Sequence, residues 1–180
     1  MTKTQFESFP EKDRMNRILE GTAYWTWVQS PKISEKYNTK SFETVLGLDA
    51  ANYAKALSYG LKVNPPYIHP TDAAKSINEP HVIIKRKVKP GIADADVKPV
   101  LVDSMQKPLP DDLLIGNGSK ITVKFGTYWY EAQGGGVGTA FFKMQLNQLV
   151  KYTPKGESDF KMDPTGYQVE PETTSAFDAD

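Results

Sequence analysis

Between Lys120 and Tyr130 the chain alternates with a period of two: Ile121, Val123 and Phe125 on one parity, Thr122, Lys124 and Gly126 on the other. Only an extended strand sorts that pattern onto two faces, so this segment is β and its apolar face must be covered. The glycine-rich run Gln133–Gly138 follows, then Thr139–Val150, and together they predict a long β-hairpin. On the returning strand Phe142, Met144 and Leu146 are the expected core set, which sends Phe141, Lys143, Gln145 and Asn147 outward. Tyr128 and Tyr130 share the parity of Lys124. Both strands are therefore expected to display lysine and aromatic side chains together on the outer face.

The rest of the chain supplies short partners for this hairpin. Thr22–Val28 and Phe42–Leu48 read as strands, with the polar, Pro31-containing stretch Gln29–Ser41 as their connection. Asp49 is a good N-cap, and Ala50–Tyr59 has helical spacing (Tyr53, Ala54, Leu57) before Gly60 stops it. From Val63 to Pro80, prolines at 65, 66, 70 and 80 preclude a long element and predict an insertion over the body, with at most a turn or two of helix near Thr71–Ile77. His81–Val88 and Lys98–Asp103 are further strands, and Gly116-Asn117-Gly118 is a turn. Many short strands with one convincing helix predict a mainly β protein: an OB-fold-like antiparallel five-stranded barrel with one helix and a Pro-rich insertion. A β-sandwich with a decorating helix is the alternative.

Hydrophobic residues form 39% of the 180 and cysteine is absent, so the core must be held by packing, without disulfides, thiolate nucleophiles or cysteine-bound zinc. No apolar run approaches the length of a membrane span, and Met1–Arg17 is polar and charged, which predicts a cytoplasmic protein. The formal charge is zero, but residues 156–180 hold seven acids against one base, Lys161, a net of −6, and the other 21 bases and 15 acids net +6. The tail mixes these acids with proline, glycine, serine and threonine, too polar to offset the entropy of ordering. The chain is thus expected to divide into a basic domain, 1–155, and a disordered acidic tail, 156–180. Such a tail can occupy a basic surface until a stronger polyanion displaces it, although acidic termini also serve simply as solubilising ends.

Lysines neutralise phosphates whatever the sequence, and an aromatic ring stacks on any base for ~1 to 3 kcal/mol. Tyr128, Tyr130 and Phe141 with Lys124 and Lys143 are therefore candidate contacts for a single strand, unless the rings pack beneath a loop or at a subunit interface. In Tyr24-Trp25-Thr26-Trp27 the two tryptophans share a face and are assigned to the core, leaving Tyr24 and Tyr37 as stacking candidates. Lys85, Lys87 and Lys89 line one side of their strand. They fit a phosphate track or a solvated edge strand equally well. The only histidines, His69 and His81, have with Asp72 no familiar ligand spacing, and the glycines at 134–138 precede a strand and lack the lysine of a phosphate loop. Neither a catalytic site, a metal nor a cofactor is expected, and a metal-dependent nuclease is the weakest of the readings.

Several segments together resemble the bacteriophage single-stranded-DNA-binding proteins. They are Gly21-Thr22-Ala23-Tyr24-Trp25, the connection from Pro31 to Asn38, the helix after Asp49, Ile115-Gly116-Asn117-Gly118-Ser119, the Tyr128-Trp129 pair, the turn Gly134–Gly138 and Leu146-Asn147-Gln148-Leu149. The resemblance spans roughly residues 20 to 150. It implies an OB-fold that binds and protects single-stranded DNA without sequence preference during phage replication and recombination, in the host cytoplasm. It also implies a tail that competes with DNA and recruits replication or recombination proteins, with self-association open. Such tails often end on an aromatic residue, whereas here Phe177 is followed by Asp178, Ala179 and Asp180, the candidate partner-binding end. An RNA-binding module of the same shape and a structural or assembly protein are the rival readings.

Overall fold

The computed structural model describes residues 1–152. Its elements are α1 (Lys3–Glu7), α2 (Glu11–Arg14), β1 (Arg17–Ser34), β2 (Thr39–Gly47), α3 (Ala50–Ser58), β3 (His81–Val88), α4 (Asp94–Val97), β4 (Val100–Asp103), β5 (Lys120–Tyr130) and β6 (Gly136–Gln148). The strands form one sheet in the order β3-β2-β1-β5-β6-β4. Every neighbouring pair is antiparallel except β4 with β6. The sheet curls until β3 meets the first half of β6, where the Thr139 hydroxyl accepts from the Lys85 amide at 3.0 Å and donates to the Lys85 carbonyl at 3.2 Å. Five strands thus make an OB-like barrel, and β4 is a sixth added at its rim.

The core is the inner parity of these strands, with Leu19, Leu46, Ile84, Val123, Phe125 and Met144 all fully buried. Burying each such side chain is worth ~1.5–3 kcal/mol, which makes this inner face the main source of stability. One end of the barrel is closed by α3, which Asp49 caps by accepting from the Asn52 amide at 2.8 Å. Tyr59 beyond α3 packs edge-on against Phe125. The N-terminal residues finish the plug: buried Phe6 lies 6.1 Å from the Trp129 ring, and the Arg17 guanidinium is held between the Phe9 and Tyr59 rings at 4.8 and 4.5 Å.

The structure departs from the sequence reading in four places. β1 begins at Arg17 and runs to Ser34, absorbing the expected connection, with a register irregularity between Trp27 and Lys32 around Pro31, which cannot donate to a ladder. Three short helices join the expected one; α1 has a capping box between Thr2 and Gln5 that the sequence reading passed over. β4 is parallel to β6, with Val100 opposite Lys143. Finally, β6 carries a bulge: Lys124 faces Lys143 but Phe125 faces Phe141, so Phe142 is the extra residue. The slip reverses the parity expected for the two rings. Phe141 is 0% exposed and part of the core, while Phe142 is only partly buried beside the Arg86 guanidinium.

The Pro-rich insertion lies over the barrel as expected. Tyr67 and Ile77 exchange backbone hydrogen bonds at 2.9 and 2.7 Å, Ile77 is buried, and the Tyr24 hydroxyl donates to the Glu79 carboxylate at 3.0 Å. Burial and that carboxylate push the Tyr24 phenol up to about 12.

Two outcomes follow from these contacts. Phe141→Ala is expected to cost ~3–5 kcal/mol in urea unfolding and Phe142→Ala distinctly less; the reverse order would remove the bulge assignment. A phenol pKa raised from 10.0 to about 12 favours the folded state below the lower value, a contribution lost as pH rises through the higher one. Tyrosinate absorbance should therefore show one late-titrating tyrosine, which Glu79→Gln brings to lower pH.

Candidate nucleic-acid interface

β1 turns sharply at Trp25, whose backbone sits at φ 44°, in the left-handed region that costs a bulky side chain strain. The loop before β5 holds it there. Asn117 Oδ1 accepts from the Trp25 amide at 2.8 Å, Ala23 donates to the Ser119 carbonyl at 2.8 Å, and Gly118 donates to the Ala23 carbonyl at 2.9 Å. The same loop grips the chain after β6, because Gly116 donates to the Val150 carbonyl and the Ser119 hydroxyl accepts from the Val150 amide. The Ile115–Ser119 motif is thus the buckle that joins β1, β5 and the end of the barrel.

The consequence is that Trp25 and Trp27 are 39% and 43% exposed, which corrects their assignment to the core. They line a groove of about 590 Å³ bounded by the insertion at Ala74 and Lys75, by Leu114, and by Tyr152. Exposed rings of this size on a barrel that already has a full core are available for stacking.

Register extends this surface across the sheet. Trp27 lies opposite Glu43, and Glu43 opposite Lys85, so the three share the outer face. In the next row along, Lys32 is opposite Ser41 and Ser41 opposite Lys87; in the preceding row Tyr24, Val45 and Ile83 are aligned. Lys85 and Lys87 are exposed and, among the described residues, form no ion pair. Lys89 lies just past the end of β3, also exposed. Tyr37 tops the β1–β2 hairpin, 68% exposed, with the Lys36 ammonium 5.2 Å from its ring centre.

Tyr128 and Tyr130 complete the face from the other side. Tyr128 pairs with Gly138 and Tyr130 with Gly136, and a Cβ on either glycine would lie 2.5 Å from the tyrosine ring or its hydroxyl. The glycines let both rings lie across β6 toward β3, and Thr139, next to Gly138, is the residue that touches Lys85. Trp27, Lys85, Lys87, Tyr128 and Tyr130 therefore occupy one continuous outer surface.

The remaining expected residues divide. Lys124 and Lys143 face each other directly across β5 and β6, an unfavourable pairing of like charges, and Lys143 donates to the Gln106 side chain at 2.6 Å. They form a second basic spot, further along β5 from the tyrosines. Tyr24 belongs to the main face but is half-buried, its hydroxyl committed to Glu79. Phe141 is excluded because it is core. Phe177, Asp178 and Asp180 lie outside the described residues. Sequence reasoning missed Trp27 and Lys32 because both depend on pairings with β2, and the only local hint was the Asn117-Gly118 turn whose partner is ninety-two residues away.

His69 accepts from the Thr71 and Asp72 amides through Nδ1, and no group of side chains suited to a metal ion is found among the described residues. No helix among them is long and apolar enough to cross a membrane.

No protein-family profile matches the sequence, and no curated protein does. Solved structures do match. The single-stranded DNA-binding protein from bacteriophage Enc34 in complex with ssDNA aligns over 79% of this chain and 90% of its own, with 10% identity and a TM-score of 0.51. Its C-terminal truncation aligns over 76% and 87%, with 8% identity and a TM-score of 0.51. The gp2.5 single-stranded DNA-binding protein encoded by bacteriophage T7 aligns over 86% and 100%, with 20% identity and a TM-score of 0.48. The chain has the fold of the Enc34 protein, an OB-like barrel.

Proposed function

We propose that this chain is a phage single-stranded DNA-binding protein that coats exposed strands without reading their sequence and carries out no chemistry on them. The observation that carries this reading is the continuous outer surface on which Trp27, Tyr128 and Tyr130 surround Lys85 and Lys87, which form no ion pair among the described residues. Rings that stack on any base beside cations that meet any phosphate give affinity without base readout. The surface lies on the β2–β3 face and next to the β1–β2 and β5–β6 loops, where OB-folds bind oligonucleotides. A fold shared with a protein solved in complex with ssDNA supports the same reading.

In this reading the protein works in the host cytoplasm during replication and recombination. The acidic tail, with Phe177, Asp178 and Asp180 near its end, competes with the strand for the basic face and meets replication or recombination proteins.

Fluorescence titration with mixed-sequence oligodeoxynucleotides tests the barrel. Affinity should fall steeply with salt, Trp27→Ala should cost ~1–3 kcal/mol, and Lys87→Ala should flatten the salt dependence by ~0.7 in log–log slope. Binding that ignores salt, or that Trp27→Ala leaves intact, would sink the assignment of this face. RNA of matched length, which offers the same phosphates and bases, measures the preference for DNA.

Removing the tail after Lys155 should tighten binding at low salt. Unchanged or weaker binding would remove the competition while leaving the barrel reading in place.

A further inference from the structure

The middle of the proposed interface holds a carboxylate. Glu43 lies between Trp27 and Lys85 on the outer face, its side chain only 12% exposed. It is held there: Oε1 takes the Lys32 ammonium at 2.6 Å and Oε2 accepts from the Ser41 hydroxyl at 3.0 Å. Lys32 and Ser41 face each other in the ladder, so both grip Glu43 from the neighbouring row.

A fixed anion at the centre of a polyanion-binding face acts on the two sides of a strand differently. It repels phosphate, and it accepts hydrogen bonds from the amino and imino groups of bases. It also occupies Lys32, the one cation on β1 within this face. Phosphates are thereby left to Lys85 and Lys87 on β3, while bases meet β2 and the Trp27 ring.

We infer that Glu43 sets which side of the strand faces the barrel, keeping phosphate off β2 so that the bases turn inward. The inference rests on the single-strand reading and adds to it a specificity residue that discriminates base from backbone.

The test compares an oligodeoxythymidylate with an abasic deoxyribose-phosphate strand of equal length at low salt, with wild type, Glu43→Gln and Asp13→Asn, an exposed carboxylate outside the β1–β2–β3 rows, as control. Wild type is expected to favour thymidylate. Glu43→Gln should raise abasic affinity about fivefold, the effect of one unit charge at ~4 Å in water, with a smaller gain for thymidylate. The abasic salt slope should steepen by ~0.7 as Lys32 becomes free for a phosphate. Adding Lys32→Gln to Glu43→Gln should abolish the gain, and Asp13→Asn should leave the ratio between strands unchanged. An equal gain for both strands, no gain, or a gain that survives Lys32→Gln overturns the role of Glu43 alone. Wild type that binds neither strand overturns the single-strand reading and this inference with it.

Discussion

The hydrogen bond from the Trp25 amide to Asn117 Oδ1 joins segments ninety-two residues apart, and the exposed aromatic face of β1 depends on it. A tryptophan at φ 44° is unfavourable in isolation, so β1 keeps that turn because the Gly116–Ser119 loop bonds both backbone groups of Ala23 and the Trp25 amide. The turn does two things. It takes Trp25 and Trp27 out of the core, and it shifts the register of β1 against β2 between Tyr24 and Trp27, so that Trp27 comes into line with Glu43 and Lys85. The same loop holds Val150, so the point at which the barrel ends is fixed by the buckle that exposes the rings.

A second irregularity, the Phe142 bulge, serves the other side of the barrel. By inserting one residue it keeps both Phe141 and Met144 inside, bends β6 away from a simple hairpin and lets its two halves serve different neighbours. The first half runs beside β3 and carries the glycines under Tyr128 and Tyr130; the second half takes β4 in parallel. A regular β6 could not keep Phe141 and Met144, three residues apart, on the same side of the strand.

These two irregularities mark the boundary of what was legible. The alternation of Lys120–Tyr130, the helix after Asp49, the strand His81–Val88 and the barrel class were readable because each rests on local periodicity, capping or turn chemistry. The outward side of Tyr128, Tyr130, Lys85 and Lys87 was readable for the same reason, since parity within one strand decides it. Phe141, Trp25 and Trp27 were misassigned because a bulge or a left-handed residue shifts parity by one, and nothing within the strand announces it. Glu43 and Lys32 were invisible for a further reason. Their significance lies in which residues stand opposite them, and register across three strands is a tertiary property.

The edge-strand and phosphate-track readings of Lys85, Lys87 and Lys89 ask for the same exposure. β3 ends the sheet, and its meeting with β6 is made by the Thr139 side chain rather than by a backbone ladder, so much of β3 is an open edge. Such an edge invites pairing with another chain, and lysines along it discourage that pairing by desolvation and repulsion. At this seam Thr139 follows Gly138, the partner of Tyr128, so Lys85 of β3 and Tyr128 of β5 flank the same stretch of β6. A closed ladder would have removed the need for edge protection. The lysines therefore protect the edge by an exposure and charge that the proposed binding of phosphate also requires, and one structural feature, an incompletely closed barrel, accounts for that exposure.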